Sequence, residues 1–253
     1  MHERQRGDMD YAFFLRTTAL LRGLGVRELG LSYLGEPFLC RWLPEAIHRA
    51  KRELDFPFVF LTTNGRLATP ERVRHCIGAG LDRLEFEYNF AGPDQFHYVT
   101  GGREQDFWKV DVNLLAAGMV RDEVRAATGH RCIIAASTVR LDDEHARRMQ
   151  HTLRRLRRSV DVHVWRPLRG PMARVARSDR QRPCATLFEQ AHITFDGRLS
   201  ACAYDHDPRF EVGDLAAETF LEAWSGERFR TLRAAHLAGD RRGTPCEGCS
   251  AWH

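Results

Sequence analysis

Apolar and polar positions alternate along the first two-thirds of the chain with two different periods. Windows 11–24, 43–54 and 142–158 carry apolar residues at helical spacing; the first places Phe13, Phe14, Leu20, Leu21 and Leu24 on one side and stops at Gly23 and Gly25. Between such windows stand short runs at 28–33, 58–62, 83–88, 132–139 and 160–165, most of them rich in apolar residues, which predicts strands buried on both faces. Thr69-Pro70-Glu71 opens another helix that ends near Gly78 and Gly80, and a further helix is expected over 106–120 after an irregular stretch at Gly101-Gly102. Five strand–helix alternations in a row predict an α/β, barrel-like domain with a parallel sheet, assigned to residues 1–168.

After Pro167 the pattern changes. Gly170, Pro171 and several arginines with few large apolar residues mark a linker over 169–183. Residues 184–253 then read as a small α+β domain. Asp196-Gly197 between two short apolar runs is a hairpin signal, and helices are expected over 217–224 and 227–237, with Trp224 and Phe229 as core anchors.

Composition narrows the function classes. The 253 residues are 43% hydrophobic and 28% charged, ordinary for a globular protein, and no apolar run reaches the ~18 residues of a membrane span. No signal-peptide core follows Met1, so a cytoplasmic protein with no membrane partner is expected. The net charge of +4 comes almost entirely from arginine; the densest run, 147–158, has Leu153 and Leu156 on one side and reads as the wet face of a helix. Without interleaved aromatics it does not predict a nucleic-acid partner.

Chemistry concentrates in two places. Polar residues sit at successive strand ends, at Gly35-Glu36-Pro37, Thr63-Asn64-Gly65, Asn89 and Ser137 with Arg140, and parallel α/β folds bind ligands at those ends. Cys184, Cys202, Cys246 and Cys249 are four of seven cysteines, the last two in a C-x-x-C. In a reducing compartment such a set points to metal, and thiolates at this spacing suit either tetrahedral zinc or an iron–sulfur cluster. The other three, Cys40, Cys76 and Cys132, are scattered and read as small hydrophobes. Asp205, His206 and Asp207, just after Cys202, read as an exposed polar loop or as partners of its metal.

These residues carry a resemblance. Leu34-Gly35-Glu36-Pro37 resembles the Gly-Gly-Glu-Pro motif of radical S-adenosylmethionine (SAM) enzymes, Thr63-Asn64-Gly65 their Thr-Asn-Gly, and Ala79-Gly80-Leu81-Asp82 their Ala-Gly-Leu-Asp. Cys184, Gly197, Cys202 and Cys246-Glu247-Gly248-Cys249 resemble the SPASM/twitch auxiliary-cluster domain of that superfamily, in its shorter single-cluster form. The resemblance implies a partial (β/α) TIM-like barrel missing its first strand, followed by an iron–sulfur domain. It implies that Gly35 and Glu36 hold the amino group of SAM, that Asn64, Asn89, Ser137 and Arg140 lie near its ribose and carboxylate, and that Cys184, Cys202, Cys246 and Cys249 hold an auxiliary [4Fe-4S] cluster. The implied activity is hydrogen abstraction by a 5′-deoxyadenosyl radical, with the auxiliary cluster as electron acceptor, a small-molecule or peptide substrate and a reductase as electron donor. The C-x-x-x-C-x-x-C of the SAM-cleaving cluster does not occur in the sequence. An N-terminally truncated radical enzyme is expected on that ground, with a degenerate, non-catalytic scaffold holding a structural cluster or zinc as the competing reading.

Overall fold

The predicted strands form an all-parallel, five-stranded sheet in the computed structural model, which describes residues 7–167, 183–205, 209–247 and 249. Strands β1 (Glu28–Gly30), β2 (Phe58–Thr63), β3 (Arg83–Glu87), β4 (Ile133–Arg140) and β5 (Val162–Pro167) follow one another in space as they do in sequence. Helices α1 (Tyr11–Gly23), α2 (Leu43–His48), α3 (Pro70–Ala79), α4 (Pro93–Thr100), α5 (Glu104–Thr128) and α6 (Asp143–Leu156) intervene. Residues 15–167 form one compact unit; residues 7–14 belong to a second, together with the C-terminal part of the chain. The predicted linker lies outside the described residues except for Pro183.

The sheet has two unlike faces, because side chains alternate along each strand. Val59, Leu61, Leu84, Phe86, Ile134 and Ala136 are fully buried on one face, in a core shared with Val73 and Ile77 of α3, Leu114 and Ala117 of α5 and Met149 and Leu156 of α6. The opposite face carries Phe60 and Thr62, then Arg83, Glu85 and Glu87, then Ser137, then Val164 and Arg166; the register pairs Thr62 with Glu85 and Glu87 with Ser137. Glu85 is buried there and ion-paired to both Arg83 and Arg166. Burial alone would raise its pKa, but the hydrogen bonds from Arg166 and Ser137 and the charges of Arg166 and Arg83 outweigh that and hold it below 4.5.

Local chemistry sets the helix ends. Thr69 caps α3, Pro70 fills its first position, and Gly80 ends it at φ 112°, a left-handed conformation that costs glycine little. Asp142 caps α6 by accepting the His145 N–H at 2.7 Å. On α5, Gly118 has no room for a side chain: a Cβ would lie 2.5 Å from Ser159 Cα. Around that contact the Ser159 hydroxyl donates to Leu115 O at 3.2 Å and Arg121 donates to the carbonyls of Arg158 and Ser159, each at 3.2 Å. A buried cluster in which Tyr88 donates to Asp111 at 2.7 Å, with Arg155 on the same carboxylate, joins the end of β3 to α5 and α6.

In the C-terminal unit, α7 (Thr186–Glu189) precedes an antiparallel sheet of β6 (His192–Ile193), β7 (Arg198–Ser200) and β8 (Glu211–Asp214), then α8 (Phe220–Trp224) and α9 (Glu227–Leu237). The hairpin turns at Gly197, φ 85°. Phe229 is fully buried, and the Arg233 guanidinium lies 4.3 Å from the Trp224 ring centre and 4.2 Å from that of Phe229 while donating to Leu187 O at 2.8 Å.

Several expected boundaries shift. β1 stops at Gly30; the Leu31 N–H still donates to Phe60 O at 2.9 Å, and beyond it the Ser32 hydroxyl, in place of backbone, accepts the Thr62 N–H at 3.0 Å. α5 continues to Thr128 because the charged turn at Arg121 packs on the Ser159 loop, and Gly129 ends it in the left-handed region. The stretch read as irregular before Gly101 is α4, opened by Pro93 and ended by Gly101. Among the described residues no helix is long and apolar enough to cross a membrane.

Two predictions follow from the packing and the polar face. Gly118→Ala should destabilise the protein by about 1–3 kcal/mol, since the Ser159 backbone must move. Gly23→Ala, where no atom lies within 4 Å of the new Cβ, should be neutral or stabilising by up to about 1 kcal/mol; urea unfolding of both checks the pair. A carboxylate whose folded pKa is depressed contributes stability above its unfolded pKa and loses it as pH falls through the folded value. Hydrogen exchange of the β3–β5 amides should therefore accelerate as pH drops below 4.5, after correction for intrinsic rates, and Glu85→Gln should flatten that dependence.

Candidate functional site

The four cysteines of the C-terminal unit are presented by different local structures. Cys249 N–H donates to Cys246 O at 3.1 Å, the tight turn that a C-x-x-C makes, and Cys246 N–H donates to Thr244 Oγ1 at 3.2 Å. Cys202 follows β7; its N–H reaches Ser200 Oγ at 3.4 Å, and its sulfur accepts the Tyr204 N–H at 3.4 Å. Cys184 precedes α7, with its N–H donating to His236 Nδ1 at 3.2 Å. Burial pushes the Cys202 thiol up to about 11, with Cys249 and Cys184 adding to the shift. Burial likewise pushes Cys246 up to about 12, with Cys249, Cys202 and Cys184 adding. The other cysteines thus lie close enough to act on Cys202 and Cys246, although 62 residues separate Cys184 from Cys246.

That donor set fits a cationic centre, which relieves thiolate repulsion by binding. Among the described residues no three His, Cys, Asp or Glu side chains are grouped so as to hold a metal ion as they stand. Asp205 is buried, 1% exposed, and not on a solvated loop; His206 and Asp207 lie outside the described residues. Cys76 and Cys132 are buried in the other unit, their thiols pushed up to about 12 chiefly by burial.

Of the predicted strand-end residues, Gly35, Glu36, Asn64 and Asn89 follow β1, β2 and β3 and Arg140 ends β4, whereas Ser137 lies within β4, level with Glu87. Glu36 is the one with the most partners. One of its oxygens accepts Phe38 N–H at 3.1 Å and the Thr63 hydroxyl at 2.7 Å, and the other accepts Asn64 N–H at 2.9 Å, which ties the loop after β1 to the end of β2. Gly35 is exposed beside it, with nothing within 4 Å of where a Cβ would be. Asn64 is exposed, its side-chain oxygen accepting Arg66 N–H at 2.9 Å. Gly65, at φ 81°, lets the chain turn where a Cβ would meet Phe86 at 2.8 Å. Asn89 bridges strands by accepting Val139 N–H at 2.7 Å. Ser137 is buried with its hydroxyl on Glu85, whereas Arg140 points to solvent and pairs with Asp143 at 2.6 Å.

Sequence reasoning overlooked Glu85, Glu87 and Arg166 on the polar face. The signal was present: charges at 83, 85 and 87 recur at the strand period within a run read as buried. Glu87 is exposed at the strand end and makes no hydrogen bond or ion pair among the described residues. Partial desolvation by the surrounding sheet raises its pKa; Arg166 pulls the other way, and the Glu85 and Glu36 carboxylates raise it further.

Comparison with known proteins agrees with this geometry. Residues 184–250 match the sequence model of SPASM, an iron–sulfur cluster-binding domain. GTP 3′,8-cyclase of Heliobacterium modesticaldum is 29% identical over 123 residues, 44% of this chain and 37% of the relative, so the chain spans little more than a third of the curated relative it matches. The crystal structure of BtrN in complex with AdoMet and 2-DOIA superposes with a TM-score of 0.62 at 15% identity, covering 98% of this chain and 82% of that one. Streptococcus suis SuiB bound to S-adenosylmethionine gives 0.61 at 13% identity, covering 98% and 65%. The parallel α/β unit has the fold of these proteins, and the tail matches the SPASM model. Residues 184–250 are therefore similar to the SPASM iron–sulfur cluster-binding domain, and the chain shares the fold of these S-adenosylmethionine-binding structures.

Proposed function

We propose that this chain is the SAM-binding scaffold and auxiliary-cluster domain of an iron–sulfur oxidoreductase or modifying enzyme acting on a small molecule or peptide. The observation that carries the reading is the match of residues 184–250 to an iron–sulfur cluster-binding domain, with Cys184, Cys202, Cys246 and Cys249 inside it and the last two in a tight turn. When bound, SAM and its clusters supply the hydrogen abstraction and accept the electron; the chain binds, orients and keeps water out. Glu36 and the Gly35 carbonyl would receive the ammonium of SAM at the mouth of the sheet. Asn64, Asn89, Ser137 and Arg140 would lie around its ribose and carboxylate. Arg140 is the fork-shaped cation of that set and is free to exchange its exposed partner Asp143 for a carboxylate ligand. Residues 1–168 would form the SAM unit and 184–253 the cluster unit, working in the reducing cytoplasm with a reductase as electron donor.

A second reading, a non-catalytic scaffold with a structural cluster or zinc, is favoured by one observation. Within this sequence no C-x-x-x-C-x-x-C occurs, and Cys76 and Cys132 are sealed in the core. Sequencing the coding DNA upstream of the Met1 codon separates the two: an in-frame C-x-x-x-C-x-x-C supports the enzyme, and a stop codon supports the scaffold.

Anaerobically purified protein should be brown and contain iron and sulfide in equal amounts; colourless protein with one zinc and no sulfide would sink the cluster. Cys246→Ala should shed the metal and lower the melting temperature of the C-terminal unit, since three thiolates hold it less well. Glu36→Ala should weaken SAM binding at least about tenfold, the equivalent of one charge-assisted hydrogen bond, in equilibrium dialysis; unchanged affinity would remove Glu36 from the site.

A further inference from the structure

Two of the four cysteines, Cys184 and Cys202, are held by contacts to buried polar side chains rather than by a shared turn. Cys246 and Cys249 share a C-x-x-C turn, but Cys184 and Cys202 are single cysteines on separate segments, and a thiol on a loose segment loses conformational freedom each time it binds. The structure supplies a substitute for each, from a residue that does not itself need to touch metal.

At Cys202 the substitute is a buried carboxylate. Asp205 accepts the Ser200 hydroxyl at 3.1 Å, Arg209 N–H at 3.1 Å and Phe210 N–H at 3.2 Å. The same Ser200 oxygen accepts Cys202 N–H at 3.4 Å, and Asp205 N–H donates to Cys202 O at 3.3 Å. One side chain therefore fixes the end of β7, the cysteine and the start of β8. Its burial without those donors would be costly, so the contacts are mutually enforcing.

At Cys184 the substitute is an imidazole. His236, 3% exposed in the last turn of α9, takes the Cys184 N–H on Nδ1 at 3.2 Å. That acceptance requires an unprotonated Nδ1, which assigns the ring proton to Nε2 in the neutral form. α9 is in turn anchored to α7 by the Arg233 bond to Leu187 O at 2.8 Å, so the ring is held against the segment that carries the cysteine.

We propose that Asp205 and His236 are the positioning residues of the auxiliary cluster, folding Cys202 and Cys184 into ligand geometry, with Asp205 also setting the cluster's reduction potential. The proposal rests on the iron–sulfur reading of the tail. A fixed carboxylate beside a ligand disfavours an added electron, while the Tyr204 N–H on the Cys202 sulfur favours it. The two opposed contacts sit on the same cysteine, which makes Cys202 the corner through which the protein adjusts the potential.

The test compares intact wild type with Asp205→Ala, Asp205→Asn, His236→Ala and His236→Asn, all purified anaerobically. Iron content, the rate of iron loss to a chelator and the midpoint potential are read. Asp205→Ala and His236→Ala should lose iron about 10- to 100-fold faster than wild type, the usual cost of removing a partner behind a metal ligand. His236→Asn retains an oxygen near the place of Nδ1 and should hold iron nearly as well as wild type. Asp205→Asn keeps shape and acceptor but not charge, so it should load and show a higher midpoint potential. If Asp205→Ala fails to fold, the Asp205→Asn potential decides. Alanine variants that retain iron like wild type, with the asparagine variant at an unchanged potential, overturn the proposal. Wild type holding zinc and no iron overturns the cluster reading alone, and zinc loss in the same four variants then decides the positioning claim. Wild type with neither metal overturns both.

Discussion

The constraint on which the larger unit turns is a carboxylate buried on a sheet face. Parallel sheets ordinarily bury both faces under apolar residues, yet this one places Glu85 on the face away from its core. Its charge is tolerated because Arg83 from its own strand and Arg166 from β5 converge on it. Arg166 must reach past β4 to do so, and β4 offers buried Ala135, level with Glu85, and Ser137 on that face. The ion pairs therefore lock three strands into register, and a one-residue slip of any of them would send its charge into the apolar core.

That arrangement leaves a polar surface open at the strand ends, where Glu36 ties two loops together and exposed Glu87 feels the charge of Arg166. The apolar face explains why the sheet is stable, and the polar face leaves charged and hydroxyl groups beside the strand ends. Both come from the same strands, since alternate positions of β3 supply Leu84 and Phe86 to one and Arg83, Glu85 and Glu87 to the other.

Much of this was readable in the sequence where one local rule dominates. Thr69-Pro70 with Gly80 announced α3, Asp196-Gly197 announced the hairpin, and the five runs of apolar residues announced the sheet. The misses came where two rules compete. Pro93 and Gly101 bracket α4 as correctly as Pro70 and Gly80 bracket α3, but the polar residues around Gly101-Gly102 drew the reading toward a loop. The charged turn at Arg121 looked like a helix end because its partners, the Ser159 carbonyl and Asp161, come from a segment 38 to 40 residues away. β8 is four residues with a glycine, and its place depends on Gly213 lying against Ala223, where a Cβ would come within 2.5 Å. Gly35, Asn64 and Asn89 could be placed just past strand ends because turn chemistry marks them, whereas Ser137 and Arg140 lie within β4 itself. The strand-period charges at 83, 85 and 87 marked Glu85, but its ion pair with Arg166, 81 residues away, has no local signature.

The cysteines show why residue type and pKa alone do not define a metal site. Cys76 and Cys132 are as strongly raised as Cys246, each to about 12, and all three owe most of the shift to burial. The difference lies in what surrounds them. Cys76 sits among Val73, Ile77 and other apolar core residues, so nothing is gained by ionising it. Cys246 has three further thiols within electrostatic range, Thr244 behind its own N–H and a turn that brings Cys249 alongside. For the first kind of thiol, burial is the end of the matter. For the second, the neighbouring thiols add to burial in raising the Cys246 pKa, and a cationic centre bound among them would offset both.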